Sequence, residues 1–139
     1  MQYWPDEENT ETFGTIQVKH TETNCHSTYI HRRFFISKTG VNPNGIWTID
    51  HFFFKKWTGH VIPQHVEYIL EFRNALKNRE SFSYPLVIHC SAGVGRTGAY
   101  ICIDILLNEM LSDQDVDVLA CIKKLRKDRM HMVQKRVSK

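Results

Sequence analysis

Two residues six positions apart could do chemistry together: Cys90 and Arg96, in the stretch "HCSAGVGRTG" at 89–98. Between them, Gly93 and Gly95 clear side chains from the floor of the loop. They also permit the backbone angles of a nest whose successive N–H groups point inward. The run "YPLVIH" (84–89) ahead of the loop has the short apolar character of a buried strand, and "RTGAYICIDILLNEML" (96–111) behind it reads as a helix. The nest would therefore end on a helix N-terminus, which adds positive potential. Arg96 contributes a planar fork that can take two oxygens of a phosphate at once. Ser91, Ala92, Gly93, Val94 and Gly95 thus form the wall of an oxyanion cradle of phosphate size, closed by Arg96.

Cys90 stands at the mouth of that cradle, where the same groups would stabilise a thiolate and make it a nucleophile at neutral pH. Thr97 can hydrogen-bond the sulfur or assist a leaving thiolate. His89 is placed to orient the loop through a ring hydrogen bond rather than to act as a base. The implied chemistry is attack of sulfur on phosphorus, giving a cysteinyl-phosphate that water then hydrolyses, with no cofactor and no metal required. A lone cysteine is more often a small buried hydrophobe. His89, the two glycines and Arg96 decide against that for Cys90. It remains the reading for Cys102 and Cys121, which lie on apolar helical faces, and Cys25 falls in a polar loop.

The elements that must position these residues divide the chain roughly in half. In the first half, "FGTIQVKH" (13–20), "TYIHRRFFIS" (28–37) and "IWTIDHFFFKKW" (46–57) are rich in β-branched and aromatic residues and predict strands. The aromatic run Phe52–Phe54 is expected in a core. "HTETNCHS" (20–27) reads as a polar turn-like linker, and "SKTGVNPNG" (37–45) as a loop. After Pro63, the spacing of Val66, Ile69, Leu70 and Leu76 predicts a helix. A last helix is predicted within 112–127, capped by Ser112 or Asp113, with Val116, Leu119, Ala120, Ile122 and Leu125 on one face. The fold class is α/β, a mixed twisted sheet flanked by helices, with 1–139 as a single domain.

Composition bounds the rest. A chain of 139 residues with 42% hydrophobic and 24% charged residues suits one soluble globular domain. The formal net charge of +3 is compatible with anionic ligands and does not by itself argue for nucleic acid. The basic run from Lys123 to Lys139 is read as a solvated helix face and a charged end rather than a nucleic-acid surface. "HTETNCHSTYIH" (20–31) lacks a standard zinc-ligand spacing. Four scattered cysteines, a polar start without the features of a signal peptide, and no spanning segment point to a reducing, cytoplasmic compartment.

"VIHCSAGVGRTG" (87–98) resembles the signature loop of the protein tyrosine phosphatases. "QYWP" (2–5), "HFFFKKW" (51–57), Asp104 and "LRKDRMHMVQ" (125–134) resemble further parts of that family, so the likeness covers nearly the whole chain. It implies Cys90 as nucleophile, Arg96 as phosphate clamp, Gln134 as the residue that positions the hydrolytic water, and a phosphotyrosine protein or another phosphate oxyanion as ligand. Trp57 is expected to anchor the hinge of the acid loop.

Three departures qualify what the resemblance implies. The family's acid loop reads W-P-D-x-G-V-P, whereas this chain reads "WTGHVIP" at 57–63, so Gly59 stands in place of the aspartate that protonates the leaving oxygen. A general acid is worth about 10²–10⁴ in rate, and turnover is expected to be impaired. His60 is the candidate substitute donor, but one step along an ordered loop reverses a side chain, so a solvent-facing histidine is favoured. Next, "QYWP" opens the chain where the family has a long preceding segment. About half a usual catalytic domain, with the loop that grips the phosphotyrosine ring, is therefore expected to be missing. Self-association could cover surface left by its absence. Finally, His131 stands where glycine is usual and Ser138 where a second glutamine is usual. The truncated, acid-deficient pattern is similar to divergent copies of the family carried by viruses of parasitoid wasps. The sequence leaves three readings open: a slow phosphatase, a phosphotyrosine-binding pseudophosphatase, and a truncated interaction protein.

Overall fold

The computed structural model describes residues 2–40, 45–57, 63, 65–77 and 85–134. They form two compact units, Met1–Leu76 and Lys77–Lys139.

The first unit is a four-stranded sheet with one helix. The strands β1 (Thr10–Phe13), β2 (Ile16–Cys25), β3 (Tyr29–Lys38) and β4 (Ile46–Phe54) lie in chain order, and all three ladders are antiparallel. Chain order and antiparallel pairing follow from short connections. Gly14, at φ +61, turns β1 into β2 through a two-residue link that pairs Phe13 with Ile16. The stretch expected as a strand from 13 to 20 is thus split by a hairpin.

The linker expected at 20–27 is instead mostly strand. β2 runs on to Cys25 and pairs Asn24 with His31 and Cys25 with Ile30 after a register shift between His20 and Glu22. Its polar residues are accommodated because this part of the ladder is tied by side chains. Arg33 bridges Glu22 at 3.2 Å and Asp50 at 3.3 Å, and His31 Nε2 lies 2.7 Å from Asp50 Oδ1. The turn itself is shorter, closed where the His26 N–H donates to the Tyr29 carbonyl at 2.9 Å.

α1 (Val66–Lys77) begins three residues after the buried Pro63 and buries Ile69, Phe72 and Leu76. Phe72 stacks on Phe54, with centroids 4.9 Å apart, and meets Tyr29 edge-on at 5.9 Å. Val66 and Leu70 are exposed, so the buried stripe is narrower than the spacing suggested and includes Arg73. The expected aromatic core of β4 is divided by the pleat: Phe52 stacks on buried His31 and Phe54 on Phe72, while Phe53 faces outward and is exposed. The N-terminal segment is held by buried His20, whose Nδ1 lies 3.0 Å from the Pro5 carbonyl and Nε2 2.9 Å from the Thr23 hydroxyl. Arg32 lies over the Trp4 ring at 4.7 Å.

The second unit is built on α2 (Gly95–Leu111) and α3 (Val118–Asp128). α3 is capped by Asp117, whose carboxylate accepts the Ala120 N–H at 2.9 Å; neither Ser112 nor Asp113 caps it. Ser112 instead closes α2, its hydroxyl donating to the Asn108 carbonyl at 2.9 Å, and Asp113 takes a left-handed φ of +52 in the turn. Both residues are used up ending one helix and cannot open the next. The buried contact between α2 and α3 is Cys102 against Cys121, whose sulfurs lie 3.5 Å apart as free thiols. Burial, first, and the neighbouring Cys121 push the Cys102 thiol up to about 12. Val116 and Leu119, expected on the packed face, are exposed, so Cys121 rather than Leu119 defines that face.

Of the strand expected at 84–89, the described residues, 85–89, form none. Residues 85–90 have no strand pairing, and Val87 is 82% exposed. Within the second unit no described residue is in a strand, so an apolar run with β-forming composition has no ladder to join there. The architecture is α/β, with a sheet that is antiparallel throughout the described residues.

Candidate active site

The site is a loop, Cys90–Val94, running into the N-terminus of α2. Val94 precedes the helix without a side-chain cap, so the first N–H groups of α2 are left for whatever occupies the loop. Gly93 takes φ +67, a left-handed conformation that a residue with a Cβ adopts only at a cost. That conformation turns the chain so that the Gly93 and Val94 N–H groups reach the Cys90 sulfur.

The electrostatic consequence is a reactive thiol. Partial burial acts to raise the Cys90 pKa. The Thr97 hydroxyl and the N–H groups of Thr97, Gly93 and Val94 outweigh it and bring the thiol from an ordinary 9.0 to about 6. Thr97 is buried, and its hydroxyl has no partner of conventional geometry among the described residues. His89 is exposed, and its Nδ1 lies 3.2 Å from the Cys90 carbonyl at the loop entrance. Arg96 is the second residue of α2 and half-buried. Ser91 and Ala92 are exposed on the rim.

A second segment, residues 129–134, comes against the loop. The Val133 N–H donates to the Val94 carbonyl at 3.1 Å, the same oxygen that accepts the Gly98 N–H at 3.1 Å. Gln134 is brought to the loop as well: its Oε1 lies 3.7 Å from where a Cβ on Gly95 would stand. His131 adopts φ +64 and Val133 φ +55, both in the region that favours glycine. Arg126 braces the segment, Nε donating to the Met132 carbonyl at 2.9 Å and Nη2 to that of Val133 at 3.1 Å.

Gly98 and Arg129 are part of this arrangement and were not singled out from the sequence. A Cβ on Gly98 would lie 2.5 Å from the Val133 nitrogen, so only glycine admits the segment at this distance. A glycine inside an otherwise helix-forming stretch, "RTGAY", was the available signal. Arg129 Nη2 reaches the Ala92 carbonyl at 3.4 Å. Gly59, His60 and Ser138, on which the acid-loop reading and one departure rest, lie outside the described residues. Trp57 is half-buried just before them.

A depressed cysteine thiol beside inward-facing N–H groups, on a loop that opens onto an uncapped helix N-terminus, suits an anionic ligand. The chain belongs to the protein-tyrosine phosphatase family, whose description matches residues 1–137. It is 38% identical over 134 residues to the receptor-type tyrosine-protein phosphatase F of Rattus norvegicus, covering 96% of this chain and 7% of that protein. It is 40% identical over 134 residues to the tyrosine-protein phosphatase Lar of Drosophila melanogaster, covering 96% of this chain and 6% of that protein. The chain therefore spans only about one-fifteenth of the length of these relatives. Among the described residues no helix is long and apolar enough to cross a membrane.

Proposed function

We propose that the chain captures phosphorylated tyrosine, or a related phosphate monoester, in the 90–96 loop and forms a cysteinyl-phosphate on Cys90, with turnover limited by Gly59. The reading is carried by one observation: the Cys90 sulfur sits within reach of the Gly93, Val94 and Thr97 N–H groups, which hold its thiol at about 6. At neutral pH the thiolate attacks phosphorus, the S–P bond forms and the P–O bond to the leaving group breaks. The leaving oxygen needs a proton, and with glycine at position 59 solvent must supply it. Water, oriented by Gln134, then attacks phosphorus and loses a proton, the S–P bond breaks, and phosphate leaves with the thiolate restored. Arg96 and the loop N–H groups neutralise the charge on the equatorial oxygens throughout.

The second reading is a pseudophosphatase that binds phosphotyrosine without turning it over; the observation favouring it is "WTGHVIP" at 57–63, which lacks the acid. Residues 1–139 are read here as one partial domain, since the family match runs through both units. The scattered cysteines favour a reducing, intracellular setting, and a phosphotyrosine protein or a second copy of the chain is the partner class that suits it.

The two readings separate on leaving group. An activated aryl phosphate needs little protonation, whereas a phosphotyrosine peptide needs it. Measurable hydrolysis of the activated ester, much slower hydrolysis of the peptide, and loss of both in Cys90→Ser is the expected result. Binding of both without hydrolysis would select the pseudophosphatase, and absence of phosphopeptide and vanadate binding would overturn the phosphate reading altogether.

A further inference from the structure

The loop carries a peptide unit whose two ends are spoken for from opposite sides. Arg129, the residue that ends α3, sends its Nη2 to the Ala92 carbonyl at 3.4 Å. The same guanidinium lies along the bare face of Gly93: a Cβ there would stand 3.2 Å from Nη2 and 3.7 Å from Cζ. The next group in that peptide is the Gly93 N–H, one of the donors to the Cys90 sulfur. No peptide bond in the described chain is cis. In a planar trans peptide the C=O and the following N–H point in opposite directions. A carbonyl drawn outward to Arg129 therefore turns the N–H inward to the sulfur. Glycine at position 93 accepts either orientation of this plane at little cost, so the residue itself does not choose between them.

We propose that Arg129 is a positioning residue of the nucleophile loop: by holding the Ala92 carbonyl it fixes the plane of the 92–93 peptide and keeps the Gly93 N–H turned toward Cys90 Sγ. Arg129 is exposed and is not among the groups acting directly on the thiol, so its effect runs through the backbone rather than through its charge. Four donors act on the sulfur, and weakening one of them should move the thiol midpoint without abolishing the site.

This rests on reading the loop as an oxyanion cradle, but its main readout needs no ligand. The pH dependence of iodoacetamide alkylation at Cys90, resolved from Cys25 by peptide mass spectrometry, reports the thiol midpoint in the full chain. Arg129→Met should raise that midpoint by about half a unit to one unit, and weaken orthovanadate binding about three- to tenfold. Its thermal transition should stay close to that of the parent. Arg129→Lys, which keeps a donor for the Ala92 oxygen, should restore most of both. An unchanged midpoint in folded Arg129→Met, or an Arg129→Lys protein indistinguishable from Arg129→Met, would overturn the proposal. Should Arg129→Met not fold, Arg129→Gln, polar but too short to reach Ala92, takes its place with the same expected shift. If the parent chain binds no vanadate, the phosphate reading fails while the alkylation midpoints still decide the role of Arg129.

Discussion

At the scale of single residues, the chain drives two of its thiols in opposite directions. Cys90 has its thiol brought to about 6 by the Thr97 hydroxyl and three N–H groups acting against burial, whereas burial drives Cys102 up to about 12. A thiol with a depressed pKa is deprotonated, and so nucleophilic, above that value. Alkylation of Cys90 should therefore rise with pH through a midpoint near 6 and level off by neutral pH. Cys102 and Cys121, buried against each other, should label only on unfolding. Replacing Thr97 by Val removes the largest stabilising contribution to the thiolate and leaves only the N–H donors, so the midpoint should move upward. An unaltered alkylation profile in Thr97→Val would show that the hydroxyl does not serve the sulfur. The contrast between Cys90 and Cys102 is a matter of surroundings alone: the side chain is the same, but hydrogen-bond donors prevail at Cys90 and burial at Cys102.

At the scale of elements, the 129–134 segment has an unusual backbone. His131 and Val133 both take left-handed angles, and the segment persists because Arg126 holds two of its carbonyls and Val133 bonds to Val94. Histidine enters that region more readily than a β-branched residue but still at a cost glycine does not bear. His131→Gly should therefore stabilise the chain by about 0.5–1 kcal/mol, after allowing for the extra freedom glycine brings to the unfolded state. A higher urea midpoint at unchanged slope is the check; a lower midpoint would mean that the His131 side chain contributes more than its backbone costs. The sequence made some elements legible and hid others for reasons that can be named. β3, β4 and α2 announced themselves because β-branched, aromatic or apolar residues dominate them. β1 did not, since its four residues are all exposed and show no alternation, and the far half of β2 is polar and tied to β3 through the Glu22–Arg33 ion pair. The loop from Cys90 to Arg96 was legible because its chemistry is local. Arg129 was not, because its contact with Ala92 spans 37 positions and nothing in either segment specifies the other.

At the scale of the whole molecule, the proposed chemistry turns on whether a chain with a depressed thiol can use it for turnover. In the function proposed above, the cradle and the depressed thiol would supply binding and attack, while the proton for the leaving group would have to come from elsewhere because position 59 is glycine. If that proton is what limits turnover, restoring a carboxylic acid there should act selectively. Gly59→Asp should raise kcat/KM on a phosphotyrosine peptide by about 10²–10⁴, the usual worth of a general acid, because tyrosine leaves poorly as an anion. An activated aryl phosphate leaves readily without help, so its rate should change little. The ratio of the two rates is thus a more discriminating measure than either alone, since a general gain in stability or in folded fraction would lift both together. With an acid installed, the peptide reaction should also fall off as rising pH takes the proton from the new carboxyl, a dependence the activated ester should not share. Equal gains on both esters, or none on the peptide, would mean that something other than the missing proton holds the chain back. In either case Cys90→Ser in the Gly59→Asp background should abolish hydrolysis, because the added acid assists departure of the alcohol and cannot replace the sulfur that attacks phosphorus.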